Sequence, residues 1–410
     1  MPRHQTFTFA TFATYSLILI AAAACSGAEA RMLAQPVIDS LPGGIPRVTS
    51  PGPTSWEGTS GWQLELVAET TGAPQTPGEL IDPNSVALDE WGRAFVVDQK
   101  PSTIKVYDTD GSFVRTIGQD GAGPGEFRVG FIAVRGGHVV VHDPQATRTS
   151  VWDTTGTFLR SWTSSCCYWS DIQLDRAGRV YIPSTYSVEA GAERPSGTPY
   201  VRWSLEGTPI DTLWVPNPDS GAKFWTVTAN RGGQNVMEMN MPVPLAPRLV
   251  SGFNPDGGFL VGWSGEYQLA VAPHGSDTSQ VFRRAWTPEP VSAERRDFEI
   301  AATIARLGDQ FEETALRQSF NASDIPSTAP PFVALHVDAD NNRWVRLDPG
   351  MDTTTTRFDV YNASGEYLGL VATATGLPMY GRLAFGHGEL VVARENIDGV
   401  PVLARYRVVR

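Results

Sequence analysis

Between Leu80 and Phe127 apolar residues fall in short runs: Val86 with Leu88, Ala94 with Val96, Ile104 with Val106, then Phe113, Val114 and Ile117. Runs this short, rich in β-branched and aromatic residues, predict strands. Turn chemistry closes each run, at Asp89-Glu-Trp-Gly92, Asp98-Gln-Lys-Pro101 and Asp108-Thr-Asp-Gly111, and a glycine-rich loop from Gly118 to Gly125 follows the fourth. Four antiparallel strands in meander order, a to d, are expected. Such a sheet cannot bury its faces alone, so the next question is whether it recurs. Asp153-Thr-Thr-Gly156 repeats the c-to-d turn roughly 45 residues on, and Ser204-Leu-Glu-Gly207, Ala272-Pro-His-Gly275 and Asn362-Ala-Ser-Gly365 fill the same slot. The a-to-b turn recurs in parallel at Arg135-Gly-Gly-His138, Asp175-Arg-Ala-Gly178, Asn254-Pro-Asp-Gly257, Asp338-Ala-Asp-Asn-Asn342 and Gly386-His-Gly388. A period in the forties with four strands per unit predicts an all-β fold, a β-propeller of six blades.

The pattern also predicts how the ring closes. After Leu383-Ala-Phe385, Leu390-Val-Val-Ala393 and Val402 to Val409, the last blade has three strands, while Trp62 to Thr70 alternates like a strand with no partner ahead of the first blade. Pairing the two removes an open sheet edge. Residues 62–410 therefore read as the propeller. Two stretches depart from the repeat. Pro216 to Pro247 is a long segment between blades three and four, and residues 288–330 read as a helical insertion between blades four and five. Within it Phe298, Ala301, Ala302, Ala305 and Ile300, Ile304, Leu307, Phe311 stand at helical spacing, Ser292 is a candidate N-cap and Gly308 a break.

Pro83, Val86-Ala-Leu-Asp89, Gly92, Val96-Val-Asp98, Ile104-Lys-Val-Tyr-Asp108, Gly111 and Gly123-Pro-Gly-Glu-Phe127 resemble the NHL-type repeat of six-bladed propellers, most clearly in the first two blades. Over its full length, including Arg343-Trp-Val-Arg346 and the helical insert, the chain resembles the bacterial six-bladed β-propeller lipoproteins, most of which lack an assigned activity.

Composition narrows the partners. The 410 residues carry a formal net charge of −12 and no basic run, which argues against nucleic acid, whose phosphates need clustered Lys and Arg. Residues 1–30 read as an export signal: Arg3 supplies a positive start, and the apolar run from Phe12 to Ala24 is too short to span a bilayer. Ala22-Ala-Ala-Cys25 resembles a lipoprotein cleavage box with Cys25 as the lipidated residue, and Ala28-Glu-Ala30 offers an ordinary cleavage site instead. The expectation is an exported cell-envelope protein held at the outer membrane, with a soluble periplasmic or secreted form as the alternative. The membrane is met only through the lipid. Residues 31–61, rich in Pro, Gly, Ser and Thr, read as an extended tether.

In a propeller the b-to-c and d-to-a loops share one face, and here the long segments all belong to it. That face is the candidate functional face. Strand a lines the central channel, and its first residues, Ser85 beside Asn84, Phe131, Asp171, Val250, Ala334 and Arg382, open there, with Gln173 and His336 two residues deeper. Arg128 and Arg248 stand just before their strands. Asn84, Asp171, Arg382, Arg128 and His336 are thus candidates to orient a small polar ligand, with Tyr168 and Trp169 as an aromatic cover. Cys166 and Cys167, beside them, could form a vicinal disulfide, sit as inert core residues or bridge to a partner.

Metal and nucleophile signals are weak. His138 and His142 fall on one strand, where that spacing separates the rings by roughly 13 Å. There is no C-x-x-C, no G-x-S-x-G elbow, and a strand rather than a helix follows Gly121-Ala-Gly-Pro-Gly125. No cofactor is expected, although Asp348, Asp352 and the Asp219 loop leave a calcium-like cation open. Asp98, Asp143 and Asp348 close strand b in three blades, and Arg148 and Arg357 open strand c in two, a recurrence that suits a structural turn role. The reading is a binding or interaction module for an unidentified ligand or protein. The alternative is a lactonase-like hydrolase or lyase with a channel-mouth cation.

Overall fold

The computed structural model describes residues 36–51, 56, 61–164, 171–184, 197–215, 223–231, 234–274, 277–307, 313–378 and 382–410. Six four-stranded antiparallel units form a six-bladed propeller. Blade one runs through Pro83–Leu88, Ala94–Gln99, Ser102–Tyr107 and Phe113–Ile117, in that pairing order. Blades two to five begin on inner strands Phe131–Arg135, Gln173–Leu174, Leu249–Phe253 and Phe332–Val337. Blade six is composite: Leu383–Phe385, Glu389–Glu395 and Pro401–Val409 from the end of the chain, then Gln63–Thr70, with Gln63 opposite Val409. The unpartnered alternating strand thus finds its place in the last blade.

The reason the ring holds is visible in the apolar clusters, one for each junction between blades. Phe95, Val97, Val106, Ile132, Val139 and Trp152 join blades one and two. Val140, Ile172 and Ile182 join two and three, and Tyr181, Leu213 and Phe259 join three and four. Phe282, Phe332 and Tyr361 join four and five, Trp344, Phe358, Leu390 and Tyr406 join five and six. Val86, Val96, Val391 and Leu403 close six onto one. Burial of an aromatic or branched side chain is worth about 1.5–3 kcal/mol, so each seam contributes comparably and no blade is stable without its neighbours.

The turns behave as their glycines require: Gly111, Gly156, Gly207 and Gly365 sit at φ of +85°, +98°, +86° and +83°. The carboxylates that close strand b are clasps. Asp98 accepts from the Ile81 and Asp82 amides and from Lys105 Nζ at 2.7 Å, and Asp143 from the Arg128, Gln145 and Ala146 amides.

Residues 37–50, where a tether is expected, instead form a hairpin, Val37–Leu41 with Ile45–Ser50, turned at Gly43 and Gly44. Its second strand adds in parallel to Gln280–Arg284, the outer strand of blade four, and buries Val48 in the junction between blades four and five. From there the chain acts as a belt. Ser50 Oγ accepts from the Tyr367 amide of blade five at 3.0 Å, Trp56 lies against Gly369, and Trp56 stacks on Trp62, itself 6.1 Å from Trp344. The physical reason is that Val48 and the two tryptophans have apolar surface to bury, which a solvated tether would leave in water.

The helices stand in the chain between Gln280–Arg284 and Phe332–Val337: α1, Ala293–Leu307, and α2, Glu313–Ser319. Ser292 Oγ accepts from the Arg295 amide, the N-cap bond expected from sequence. Their apolar faces meet the hairpin Phe224–Arg231 with Gln234–Pro242, from the other long segment, around Trp225, Val227, Leu307, Leu316 and Phe320. Trp225 stacks on Phe320 at 4.6 Å and donates to Asp324 at 3.2 Å. Two insertions far apart in sequence therefore share a core of their own. Arg295 fixes this unit to blade five through Asp348 at 3.1 Å, both side chains buried. Among the described residues no helix is long and apolar enough to cross a membrane.

Candidate functional site

The six inner strands surround a cavity of about 500 Å³. Side chains alternate along each inner strand into the seams on either side, so Val86, Ile132, Ile172, Val250 and Leu335 border the channel while their side chains are buried between blades. Polar groups gather at the two ends. At the mouth, where the inner strands begin, are Asp171 and Arg248, with Ser85 behind the rim. At the far end Arg135 donates to the Leu174 carbonyl at 3.2 Å. Arg176 there reaches across three blades, pairing with Asp256 and bonding to Asn341 and to the Ala339 carbonyl. The channel thus has Asp171 and Arg248 at its long-loop end, and Arg135 with the Arg176–Asp256 pair at its short-turn end.

Asp171 is the carboxylate of this site. It is the one acidic side chain among the described residues that line the cavity. Its described hydrogen-bond partner is the Ser85 hydroxyl, at the long distance of 3.5 Å, and that hydroxyl accepts in turn from the Ile132 amide at 3.2 Å. Burial pushes the Asp171 carboxyl up to about 6, and the Ser85 hydrogen bond only partly opposes this. No arginine contributes to the balance.

The other candidates separate. Asn84 donates to the Gly130 carbonyl at 3.1 Å, tying blade one to blade two, so its amide is a strut at the rim. Arg382 stands just before the inner strand of blade six with an exposed side chain, and forms no closed pair with Asp171. Arg128 is exposed and outside the cavity lining, engaged through its backbone with Asp143 and Ser102. Both side chains are exposed, and neither is in the cavity lining among the described residues. His336 does line the channel, deep, with its ring 5.3 Å from Phe385. Burial, then the Arg346 charge, lowers its pKa to about 3, so it is a neutral wall. Tyr168, Trp169, Cys166, Cys167 and Cys25 lie outside the described residues.

The arginines at the short-turn end were absent from the sequence reading, although Arg135 and Arg176 both sit in repeated a-to-b turns that point toward the axis. His142, weighed from sequence only as a metal ligand, is fully buried, with Nδ1 3.2 Å from Thr149 Oγ1 and 3.0 Å from Ser164 Oγ. Burial lowers its pKa to about 4, so it too is neutral.

For a cation the donors would have to converge. Asp348 is held by Arg295, and Asp352 accepts from the Thr354 amide at 2.8 Å and its hydroxyl at 2.6 Å, each in its own loop. Asp219 lies outside the described residues. Among the described residues no group of three or more His, Cys, Asp or Glu comes together.

Comparison with known proteins agrees with the architecture. A family model described as a 6-bladed beta-propeller matches residues 80–159. Among curated proteins no match is found. Solved structures with a similar course include a member of the duf4221 family from Bacteroides vulgatus, at 10% identity and TM-score 0.48, over 85% of this chain and 99% of that one. A protein of Bacteroides fragilis thought to be exported is similar at 11% identity and TM-score 0.47, over 89% and 99%. A virginiamycin B lyase from Staphylococcus aureus follows at 9% and 0.40, over 85% and 100%.

Proposed function

We propose that this six-bladed propeller is an exported binding module that receives a small ligand at the mouth of its central channel. The observation that carries the reading is Asp171: a carboxylate enclosed at the rim of a cavity of about 500 Å³, with only a distant hydroxyl as described partner. A half-buried carboxylate left so is a cost to folding, and a ligand that completes its hydrogen bonds offsets that cost on binding. The volume is that of a small-molecule site. A lactonase-like reading needs several oxygen donors around one ion, and the lining supplies one carboxylate among the described residues, so binding is favoured over catalysis.

Export and anchoring belong to the same reading. The apolar run ending at Ala24 and the Ala22-Ala-Ala-Cys25 box support a lipid on Cys25, and Ser26, carrying no acidic retention signal, favours the outer membrane. The NHL-like and lipoprotein-like residues of blades one and two support the same assignment.

Two measurements test this. A panel of small polar compounds is screened by thermal shift on the protein and on Ser251→Trp, which puts an indole at an exposed position of the channel lining. Compounds that stabilise the first and not the second support the site; equal stabilisation of both, or none of either, removes it. Cys25→Ala releases the protein from membranes, whereas unchanged fractionation moves the cleavage to Ala30.

A further inference from the structure

We propose that the cleft between blades six and one on the short-turn face binds a neutral sugar, with one pyranose ring lying on the Trp91 indole and its hydroxyls bonded by the charged side chains around it. This is a second site, on the face opposite the Asp171 end of the channel, and it does not depend on the channel reading.

Its starting point is a tryptophan that the fold does not need. Trp91 is the third residue of the turn Asp89 to Gly92, and it stands 62% exposed. The same turn recurs at Asp175 to Gly178, Asn254 to Gly257 and Asp338 to Asn341, where the third place is held by Ala177, Asp256 and Asp340. In all four turns the amide of the third residue donates to the side-chain oxygen of the first, at 3.0, 2.9, 3.1 and 2.9 Å. The turn thus uses the backbone of its third residue and not the side chain, and an alanine serves in blade three. The indole is nevertheless held in place. Asp89, whose side chain is closed off from water, accepts from Arg93 Nε at 2.7 Å, and the Arg93 guanidinium lies 5.3 Å from the centroid of the Trp91 ring. A ring fixed in this way has little further freedom to lose when a ligand covers it.

The rest of the cleft sets the chemistry of what lies on the ring. Its volume of about 420 Å³ is that of a small-molecule site. At one point the walls meet: a methyl group at Gly92 would stand 2.8 Å from Glu389 Oε1 of blade six. Glu90 and Thr109 line the cleft from blade one, and His387, Glu389, Arg405 and Arg407 from blade six. None of these charges stands alone. Glu389 pairs with Arg405, and Glu90 accepts from the Gly136 amide at 2.6 Å. Arg407 lies across from Glu389 on one side and Glu65 on the other, and His387 Nδ1 is 2.9 Å from Asp340. No lone charge is left to select an anion or a cation.

What remains is a set of planar polar groups beside an aromatic face. Carboxylates accept several hydrogen bonds and guanidinium groups donate several, which suits sugar hydroxyls, each able to donate and to accept. The negative face of the indole attracts the C–H bonds along one side of a pyranose ring. A hydrocarbon ring would use Trp91 alone, and an acyclic polyol the charged groups alone. A neutral sugar uses both.

Ligand-observed NMR titration of the full chain with methyl β-glucoside, cyclohexanol, glycerol, glucuronate and glucosamine tests the class. Methyl β-glucoside is expected to bind at least tenfold more tightly than cyclohexanol or glycerol, and no more weakly than the two charged sugars. Trp91→Ala should weaken it at least tenfold at an unchanged Tm, and Trp91→Tyr should restore part of the loss. Cyclohexanol binding equally well, or a charged sugar binding tenfold better, overturns the neutral-sugar class. Absence of methyl β-glucoside binding, or undiminished binding in Trp91→Ala, overturns the site. If binding survives Trp91→Ala and is lost in Ser251→Trp, the sugar belongs to the channel, so this inference falls and the channel reading stands. A Trp91→Ala protein that does not fold would show that the indole has a structural role after all, which removes the starting point.

Discussion

Replacing Asp171 with Asn should stabilise the unliganded protein at neutral pH, an unusual outcome for a substitution at a binding site. Asparagine keeps the shape of the side chain and the bond to Ser85 while removing the ionisation. The folded-state value of about 6 stands against an ordinary 3.8. That gap of about 2 pH units corresponds to about 3 kcal/mol at about 1.4 kcal/mol for each unit. The sign follows from which state holds the proton. Between about pH 4 and pH 6 the folded protein retains a proton that the unfolded chain has released, so stability falls as pH rises through this window and then levels off. At pH 7.5 the natural protein bears the whole penalty. Solvent entering the open mouth screens part of it, leaving about 2–3 kcal/mol. With an unfolding entropy of about 2 cal/mol/K per residue over roughly 350 residues, this raises Tm by about 3–4 °C if the ring melts as one unit. Urea denaturation at pH 4.5, 6.0 and 7.5 on both proteins measures it. The variant should be the more stable at pH 7.5, equal to the natural protein near pH 4, and free of this site's share of the slope between. Equal stability at pH 7.5 with the slope unchanged would refute the reasoning, because it would mean that the Asp171 charge is already compensated.

Three further outcomes follow from the packing. A methyl group at Gly369 would overlap the Trp56 indole, so Gly369→Ala should cost about 1–3 kcal/mol and expose the Tyr367 amide, now bonded to Ser50, to hydrogen exchange; retained protection there would show that the belt carries no strength. Arg295→Ala leaves Asp348 and Glu299, both raised by burial, without their cation, a loss of about 3–5 kcal/mol. Exchange should then rise across Ala293–Leu307 with the blades unchanged; uniform loosening of the whole ring would contradict a separate core around Trp225. A chain beginning at Thr71 lacks the fourth strand of blade six and should lose its single cooperative melt, whereas an unchanged melt would mean that three strands suffice there.

The ring was legible because propeller information is local. Gly111, Gly156, Gly207 and Gly365 mark the same turn, and each strand between them carries its own alternation. The closing strand Gln63–Thr70 was legible for the opposite reason, as a strand left without a neighbour. The hairpin at 37–50 escaped because its partner, Gln280–Arg284, lies far along the chain and pairs in parallel; the glycines at 43 and 44 between two short apolar runs were the available signal. Helical spacing exposed α1, but nothing in the periodicity of Ile300 and Ile304 says that they face Trp225 rather than the ring. At the site, repeat alignment brought Ser85, Asp171 and His336 to the channel because backbone position decides that. Repeat alignment does not fix what Arg128, Arg382 and Asn84 do, because it gives backbone position and not side-chain partners: Asn84 bonds to the Gly130 carbonyl, and the two arginines are exposed outside the lining.

The pairing of Gln63 with Val409 sets an order on assembly. A chain made or exported from its N-terminus must carry the Gln63–Thr70 strand unmatched while five blades are completed, and the Ile45–Ser50 strand unmatched until blade four exists. Over that interval each is a free edge that can recruit a strand from another molecule. The last contact to form spans nearly the whole sequence, so its rate is governed by loop closure across the ring rather than by any single sheet. The joint that closes the ring therefore depends on the nine-residue strand Pro401–Val409, and until that strand pairs with Gln63–Thr70 both present an edge that another chain can take.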